Sequence, residues 1–360
     1  MFIAARQGET AAAWLGSRAR AIWHAFVGKR RFTANHLFIM QKETDEKFMR
    51  RCLQLAANGL LTTKPNPMVG AVIVADDGRI IGEGFTSPVG GPHAEVNAFA
   101  SVRKEDEKLL SGATIYVSLE PCSHWGRTPP CCDLVISKGV KRCVCGCVDP
   151  FAKVQGRGIQ RMRDAGIEVT VGVLEEACKA MNRRFMVFNE HGRPYIVLKW
   201  AQTADGFISG KDGAPIRIST PFTQMLSHKL RAESDAILVG RHTLETDHPR
   251  LDVRQWSGKN PEAIVLSSSL KNVPDGFVCL DSIEAVVAHL VDEHRQSLIV
   301  EGGALTLKAF LDRGLWDEIR VETAPMVVGE GVDAPRLPHG VTLSRRESFD
   351  GNVICWYRRE

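Results

Sequence analysis

V-G-A-V-I-V-A-D-D-G-R-I-I-G-E-G-F, residues 69–85, sets the first half of the fold. Val69–Ala75 and Arg79–Phe85 flank Asp77-Gly78. That dipeptide between apolar runs predicts a hairpin, because a tight hairpin turn needs residues that tolerate positive φ. Working outward, the spacing of Phe48, Cys52, Leu55 and Ala56 predicts a helix over 44–59, stopped by Gly59. Lys64-Pro65-Asn66-Pro67 reads as a turn. Beyond the hairpin, a helix is predicted to start near His93, Ala113–Leu119 reads as a strand and a helix follows Pro130. Lys141–Val148 reads as a strand, Ile159–Ala165 as a helix and Glu168–Val173 as a strand. That alternation predicts an α/β sandwich of about 145 residues.

Glu175–Glu190 reads as one helical connector, and the pattern restarts at His191-Gly192-Arg193-Pro194. Strands are predicted at Tyr195–Gln202, Ala236–Val239, Ala263–Leu266, Ser297–Val300, Glu318–Thr323 and Val353–Tyr357. Helices are predicted at Pro221–Ala232 and Ala304–Asp312, which makes a second α/β unit. The expected division is a basic extension over 1–40, a first domain with its connector over 41–190 and a second domain over 191–360.

Composition narrows the class. Of the 360 residues, 44% are hydrophobic and 24% charged, which argues against a disordered or collagen-like chain. The net charge of +4 raises the question of a nucleic-acid partner. Residues 1–40 hold six basic side chains against Glu9, leaving 40 basic and 41 acidic in the remaining 320. A body of net −1 does not suit phosphate-backbone binding, so no nucleic-acid partner is expected. The first segment reads either as an amphipathic targeting segment or as sequence upstream of a true start at Met40, with the second reading preferred. No apolar stretch approaches the roughly 18 residues of a membrane span. Six of the ten cysteines lie between Cys122 and Cys147, a cluster unlike a disulfide framework. A soluble, cytoplasmic protein is expected.

The chemistry is concentrated in His93-Ala94-Glu95, Pro121-Cys122 and Cys131. One imidazole and two thiolates suit Zn²⁺ and leave a fourth position for water. An acid two residues from the His can move a proton between that water and a leaving amine. H-x-E followed by P-C-x-x-C is the zinc nucleobase-deaminase signature, but here the spacing is Cys-x8-Cys. Cys132 competes with Cys131 for the third ligand position. Cys143, Cys145 and Cys147 alternate along a predicted strand and read as buried small hydrophobes.

Thr63–Gly70 (T-K-P-N-P-M-V-G), His93–Asn97 (H-A-E-V-N) and Leu119–Cys132 (L-E-P-C-S-H-W-G-R-T-P-P-C-C) closely resemble the bifunctional riboflavin-biosynthesis deaminase/reductase family. So do Leu198–Gly206 (L-K-W-A-Q-T-A-D-G), Leu230-Arg231-Ala232, Thr246–Arg254 (T-D-H-P-R-L-D-V-R) and Glu301–Thr306 (E-G-G-A-L-T). The resemblance covers about residues 44–358 and leaves residues 1–40 outside.

It implies a cytidine-deaminase-like α/β/α sandwich followed by a dihydrofolate-reductase-like α/β domain, with Zn²⁺, NADPH and a homo-oligomeric state. The implied reactions are deamination of 2,5-diamino-6-(5-phosphoribosylamino)pyrimidin-4(3H)-one to 5-amino-6-(5-phosphoribosylamino)uracil, then reduction of the ribosyl chain to ribityl. Carried over by motif, His93, Cys122 and Cys131 hold zinc and Glu95 shuttles protons. Asn66 binds the first substrate, with His124 and Arg127 at its phosphoribosyl part. In the second domain the resemblance implies Arg231, Leu251, Arg254 and Glu301 for substrate, while Lys199, at the end of a predicted strand, reads either as a group facing the reacting ribosyl carbon or as a surface lysine. For cofactor it implies Ala201, Ser219, Thr243, Asp247, Gly302 and Gly303. One departure stands out. Pro215 and Arg217 occupy positions where many members have Ser and Trp, and Arg217 is a candidate partner for the NADPH 2′-phosphate.

Overall fold

The computed structural model describes residues 34–126, 129–151 and 154–359. Residues 1–33 of the basic extension and Arg127 lie outside the described residues. A first unit ends at Phe48 and a second runs from Met49. A helix, Ala34–Ala56, starts well before the predicted Thr44. Residues 34–43 contain no Gly or Pro to stop it.

The second unit holds two main sheets. The first contains β1 (Gly70–Val74), β2 (Ile80–Phe85), β3 (Thr114–Val117), β4 (Arg142–Cys145) and β5 (Glu168–Val171). Its order is β2-β1-β3-β4-β5, antiparallel around β1 and parallel from β3 onward. Two sets of glycines place its covering helices. A Cβ on Gly70 would lie 1.9 Å from the Cys52 carbonyl oxygen, so β1 presents bare backbone to the helix Ala34–Ala56. A Cβ on Gly84 would lie 2.4 Å from the Ala98 nitrogen and 2.5 Å from the Ala94 oxygen, so β2 does the same for the helix Ala94–Ala100. Gly70 pairs with Phe85 and Ala71 with Gly84, which puts Gly70 and Gly84 on opposite faces of the sheet. The two helices therefore cover opposite faces, the expected α/β/α sandwich.

The chain then continues as β6 (Tyr195–Gln202), β7 (Phe207–Ser209), β8 (Ala236–Gly240), β9 (Glu262–Leu266), β10 (Phe277–Leu280), β11 (Ser297–Val300), β12 (Glu318–Thr323), β13 (Val332–Asp333), β14 (Val341–Phe349) and β15 (Asn352–Arg359). The large sheet runs β10-β9-β8-β11-β6-β12-β15-β14, and β7 and β13 form a separate ribbon. Its β6 buries both faces. Ile196, Leu198 and Trp200 join one core, while Tyr195 and Val197 join the other with Ile237, Val239 and Ile299. Central parallel strands need apolar residues on both sides for this reason.

Some elements differ from expectation. The connector is two helices, Glu175–Met181 and Arg183–His191, broken at Asn182. The Met68 N–H donates to Asn182 Oδ1 (2.8 Å) and Asn182 Nδ2 donates to the Met68 carbonyl (2.8 Å). This long-range clamp leaves no local periodicity to read. The edge strand β14 is largely exposed, and its T-L-S-R-R-E-S run has the charged, non-alternating pattern that keeps sheet edges from pairing. Helices Arg241–Asp247 and Ile283–Asp292 were also not anticipated. The second carries a legible start, since the Ser282 hydroxyl accepts from the Ala285 N–H (3.2 Å).

Candidate functional site

In the first sheet, β2 leads through Thr86–Pro92 to His93, which precedes the helix Ala94–Ala100 in extended conformation. Glu95 lies in the first turn of that helix and is 4% exposed. Cys122 follows the end of β3, and Cys131 opens the helix Cys131–Ser137. Cys131 Sγ lies 3.3 Å and Cys122 Sγ 3.6 Å from His93 Nδ1. The Cys131 N–H donates to Cys122 Sγ at 3.3 Å. All three ligand atoms lie within 4.8 Å of one another. One imidazole and two sulfurs gathered so closely fit zinc, with the fourth position open. Cys132 does not join them, because the next residue on a helix points elsewhere. Its thiol turns to Asp133 Oδ1, 3.6 Å away.

The electrostatics follow from burial and crowding. Burial, then the neighbouring Cys122, pushes the Glu95 carboxyl up to about 7. Hydrogen bonds from Cys131 and His93 push the Cys122 thiol down to about 4, while the Cys122 contact drives Cys131 upward. His93 is raised by its hydrogen bond to Cys122. A buried acid that holds a proton near neutrality beside a cation-binding cluster suits proton transfer.

Glu120, not singled out in the sequence, fixes the loop before Cys122. Its buried carboxylate accepts the N–H groups of Asp149 (3.3 Å), Gly156 (2.8 Å), Gly158 (2.9 Å) and Ile159 (3.2 Å). A charged residue at a strand end, before Pro121, was the available signal. His124 packs edge-on against Phe151, with ring centroids 5.7 Å apart, and its buried Nδ1 has no hydrogen-bond partner among the described residues. Asn66 is exposed in a loop whose Thr62 carbonyl accepts the Val89 N–H (3.1 Å), so the loop abuts the segment leading to His93.

In the large sheet, Arg231 and Glu301 meet through two bonds, Nε to Oε1 at 3.0 Å and Nη2 to Oε2 at 2.7 Å. Lys199 Nζ lies 4.0 Å from Glu301 Oε2. Burial opposes the Glu301 charge, but Lys199 and Arg231 outweigh it and hold the carboxyl down to about 2. Lys199 is itself lowered by burial. Arg231 Nη1 also donates to the Asp252 carbonyl (3.2 Å), and the Asp252 carboxylate pairs with Arg250 (2.8 Å) and Arg254 (2.5 Å). Asp252, unmarked in the sequence reading, thus gathers three arginines. Leu251 is 3% exposed and packs in the core.

The Glu301-Gly302-Gly303 turn leaves β11 beside the end of β8. A Cβ on Gly302 would lie 2.9 Å from Val239 Cγ1, and one on Gly303, at φ 64°, would lie 3.0 Å from Thr243 Oγ1. This packing against Val239 and Thr243 requires both glycines, and the turn ends at the start of the helix Ala304–Asp312, a position that suits an anion such as a dinucleotide phosphate. Ser219 donates to Glu322 Oε2 (2.9 Å), whose other oxygen accepts from Asn352 Nδ2 (2.7 Å). Ala201 pairs with Glu322 across β6 and β12. Asp247 and Arg217 are exposed and stand outside these contacts.

Hydrolysis around a cation cluster and reduction beside a phosphate cradle thus share one chain, which defines a bifunctional deaminase–reductase. Two family models divide it the same way. The cytidine and deoxycytidylate deaminase zinc-binding region matches residues 42–147, and the RibD C-terminal domain matches residues 194–349. The riboflavin biosynthesis protein RibD of Aquifex aeolicus is 38% identical over 327 residues, covering 81% of this chain and 90% of that protein. RibD of Escherichia coli is 37% identical over 331 residues, covering 79% and 89%. A Thermotoga maritima crystal structure, described as a diaminohydroxyphosphoribosylaminopyrimidine deaminase/5-amino-6-(5-phosphoribosylamino)uracil reductase, superposes with a TM-score of 0.80 at 34% identity. It covers 89% of this chain and all of that one. The chain belongs to the RibD family. It is a bifunctional enzyme of riboflavin biosynthesis, a deaminase with a zinc-binding region joined to a reductase.

Proposed function

We propose that this chain deaminates 2,5-diamino-6-(5-phosphoribosylamino)pyrimidin-4(3H)-one and then reduces the ribosyl chain of the product to ribityl. The observation that carries the reading is the His93–Cys122–Cys131 cluster with Glu95 buried beside it.

Bound zinc, held by His93, Cys122 and Cys131, supplies Lewis-acid chemistry that makes water nucleophilic at neutral pH. Glu95 takes the proton from water on its carboxylate and delivers it to the departing amino nitrogen, which leaves as ammonia. Asn66 orients the pyrimidine, and His124 and Arg127 hold the phosphoribosyl part.

Bound NADPH supplies the hydride for the second reaction. Gly302, Gly303 and Thr243 form the dinucleotide cradle, with Ala201, Ser219 and Asp247 along its path and Arg217 offered to the 2′-phosphate. Arg231 and Lys199 hold Glu301 ionised at the ribosyl chain, while Arg254 and Arg231 meet the phosphate with Leu251 beneath.

The domain limits are 41–190 and 191–360, following a basic extension over 1–40. The reading includes a cytoplasmic homo-oligomer that binds neither nucleic acid nor membrane. The near-neutral charge after residue 40 supports the exclusion of nucleic acid, and no helix among the described residues is long and apolar enough to cross a membrane.

A coupled assay on the phosphoribosyl diaminopyrimidine tests the reading, with and without a chelator and with each dinucleotide. The expected result is chelator-sensitive ammonia release followed by NADPH oxidation. No oxidation of either dinucleotide at any concentration overturns the bifunctional assignment.

A further inference from the structure

The loop Lys64-Pro65-Asn66-Pro67 belongs to the first sheet's half by sequence, yet it is fastened to the second. Lys64 Nζ lies 3.1 Å from Asp235 Oδ1 and donates to the Glu233 carbonyl at 2.5 Å. Gln296 Nε2 donates to the Pro65 carbonyl at 2.8 Å. Asp235 and Gln296 stand directly before β8 and β11, which are neighbours in the large sheet. They are tied to each other, because Asp235 Oδ2 accepts the Gln296 N–H (3.0 Å) and the Ser297 hydroxyl (2.8 Å). Asn182 clamps the loop's far end at Met68.

Asn66 therefore sits between fixed points on either side, in a segment with no helix or strand of its own. It also lies on the wall of a cavity of about 790 Å³ shared by the two halves, with Lys64, Glu233, Asp235 and Gln296. The same loop adjoins the segment that leads to the deaminase centre. Its Thr62 carbonyl accepts the Val89 N–H, and the Val69 N–H donates to Thr86 Oγ1 (3.1 Å), both on the stretch that ends at His93. An irregular segment freed from its ties must be ordered again when substrate binds, and that entropy is lost from affinity.

We propose that Lys64 and Gln296 are positioning residues for deamination, through which the reductase half holds Asn66 in place for the pyrimidine. The proposal rests on the reading that Asn66 contacts the first substrate. It assigns the reductase sheet a second task, distinct from hydride transfer: the starts of β8 and β11 anchor a loop of the other active site, while Glu301–Gly303, beyond the end of β11, serve their own.

The test uses the full chain, as Lys64→Met, Gln296→Leu, Lys64→Arg and Asn66→Ala. Asp235 keeps its bonds to Gln296 and Ser297 in Lys64→Met, so the strand starts stay intact. Lys64→Met and Gln296→Leu are expected to raise the deamination KM about tenfold with kcat nearly unchanged, the pattern of lost ground-state binding. Lys64→Arg is expected to stay within about threefold of the parent, because a guanidinium keeps the charge and has donors for both acceptors. Zinc content and the kinetics of reduction with the deaminated intermediate should match the parent in all four. If Asn66→Ala raises KM while Lys64→Met and Gln296→Leu do not, the positioning role is overturned and the reading of Asn66 stands. If Asn66→Ala also leaves KM unchanged, that reading fails, and the proposal fails with it. Loss of zinc or of both activities in Lys64→Met, without rescue by Lys64→Arg, marks a structural tie and overturns the proposal.

Discussion

Arg231 grips Glu301 across 70 residues of sequence with two near-parallel bonds of 3.0 and 2.7 Å. Both side chains are largely buried, at 13% and 7% exposure. Breaking such a pair leaves a charge without its partner, at a cost of about 3–5 kcal/mol. Arg231→Ala is expected to lower the unfolding temperature and abolish reduction while deamination persists in the folded fraction. Arg231→Met and Lys199→Met combined with Glu301→Gln, which leaves none of the three charged and unpaired, should recover part of the lost stability without restoring reduction. If the triple variant is as unstable as the single one, the unpaired charge is not the cause.

The same pair sets an acid limit. Glu301 is held at about 2, below its ordinary 4.5. A lowered carboxyl contributes its full stabilisation above the unfolded value and loses it as pH falls through the folded one. The contribution is about 3 kcal/mol and is lost between about pH 4.5 and 2. Thermal unfolding of the parent and of Glu301→Gln, followed across that window, should show the steeper fall in the parent. Equal slopes would remove Glu301 as the source.

Glu95→Gln keeps the shape of the deaminase centre and removes the carboxylate proposed to carry its proton. Deamination should fall by about 10²–10⁴ in kcat while zinc content and NADPH oxidation stay at parent levels. Chelation should act on the same half, stopping ammonia release and sparing reduction of the supplied intermediate. Near-parent deamination by Glu95→Gln would refute the proton-carrier role.

Glu120→Ala leaves the N–H groups of Asp149, Gly156, Gly158 and Ile159 without their acceptor. Each buried orphan costs about 1–3 kcal/mol. The loop also leads straight into Cys122, so zinc should be retained less tightly. Competition with a chromogenic chelator measures this, and unchanged zinc affinity would confine Glu120 to a stabilising role.

Gly84→Ala places a methyl 2.4–2.5 Å from backbone atoms of the helix that follows His93 and carries Glu95. Backbone cannot yield as a flexible side chain does, so the helix must move, at about 1–3 kcal/mol. Deamination should drop at least tenfold with reduction retained, as ammonia release and NADPH oxidation would report separately.

By itself the sequence determined the succession of two α/β sheets and the residue types that gather at the first site. His93, Glu95, Cys122 and Cys131 sit at strand–turn–helix junctions, where residue type and local punctuation carry the meaning. The Asp77-Gly78 hairpin and the apolar runs of β6, β8 and β11 were legible for the same reason. Tertiary structure alone decided which distant groups meet. It turned the Cys132 thiol to Asp133, joined Arg231 to Glu301 and Asp252, clamped Met68 with Asn182, and fastened Lys64 to Asp235. Those contacts follow from the order of strands in the sheets and the faces their side chains share. Periodicity reports which face of a segment is buried; it does not report what lies opposite.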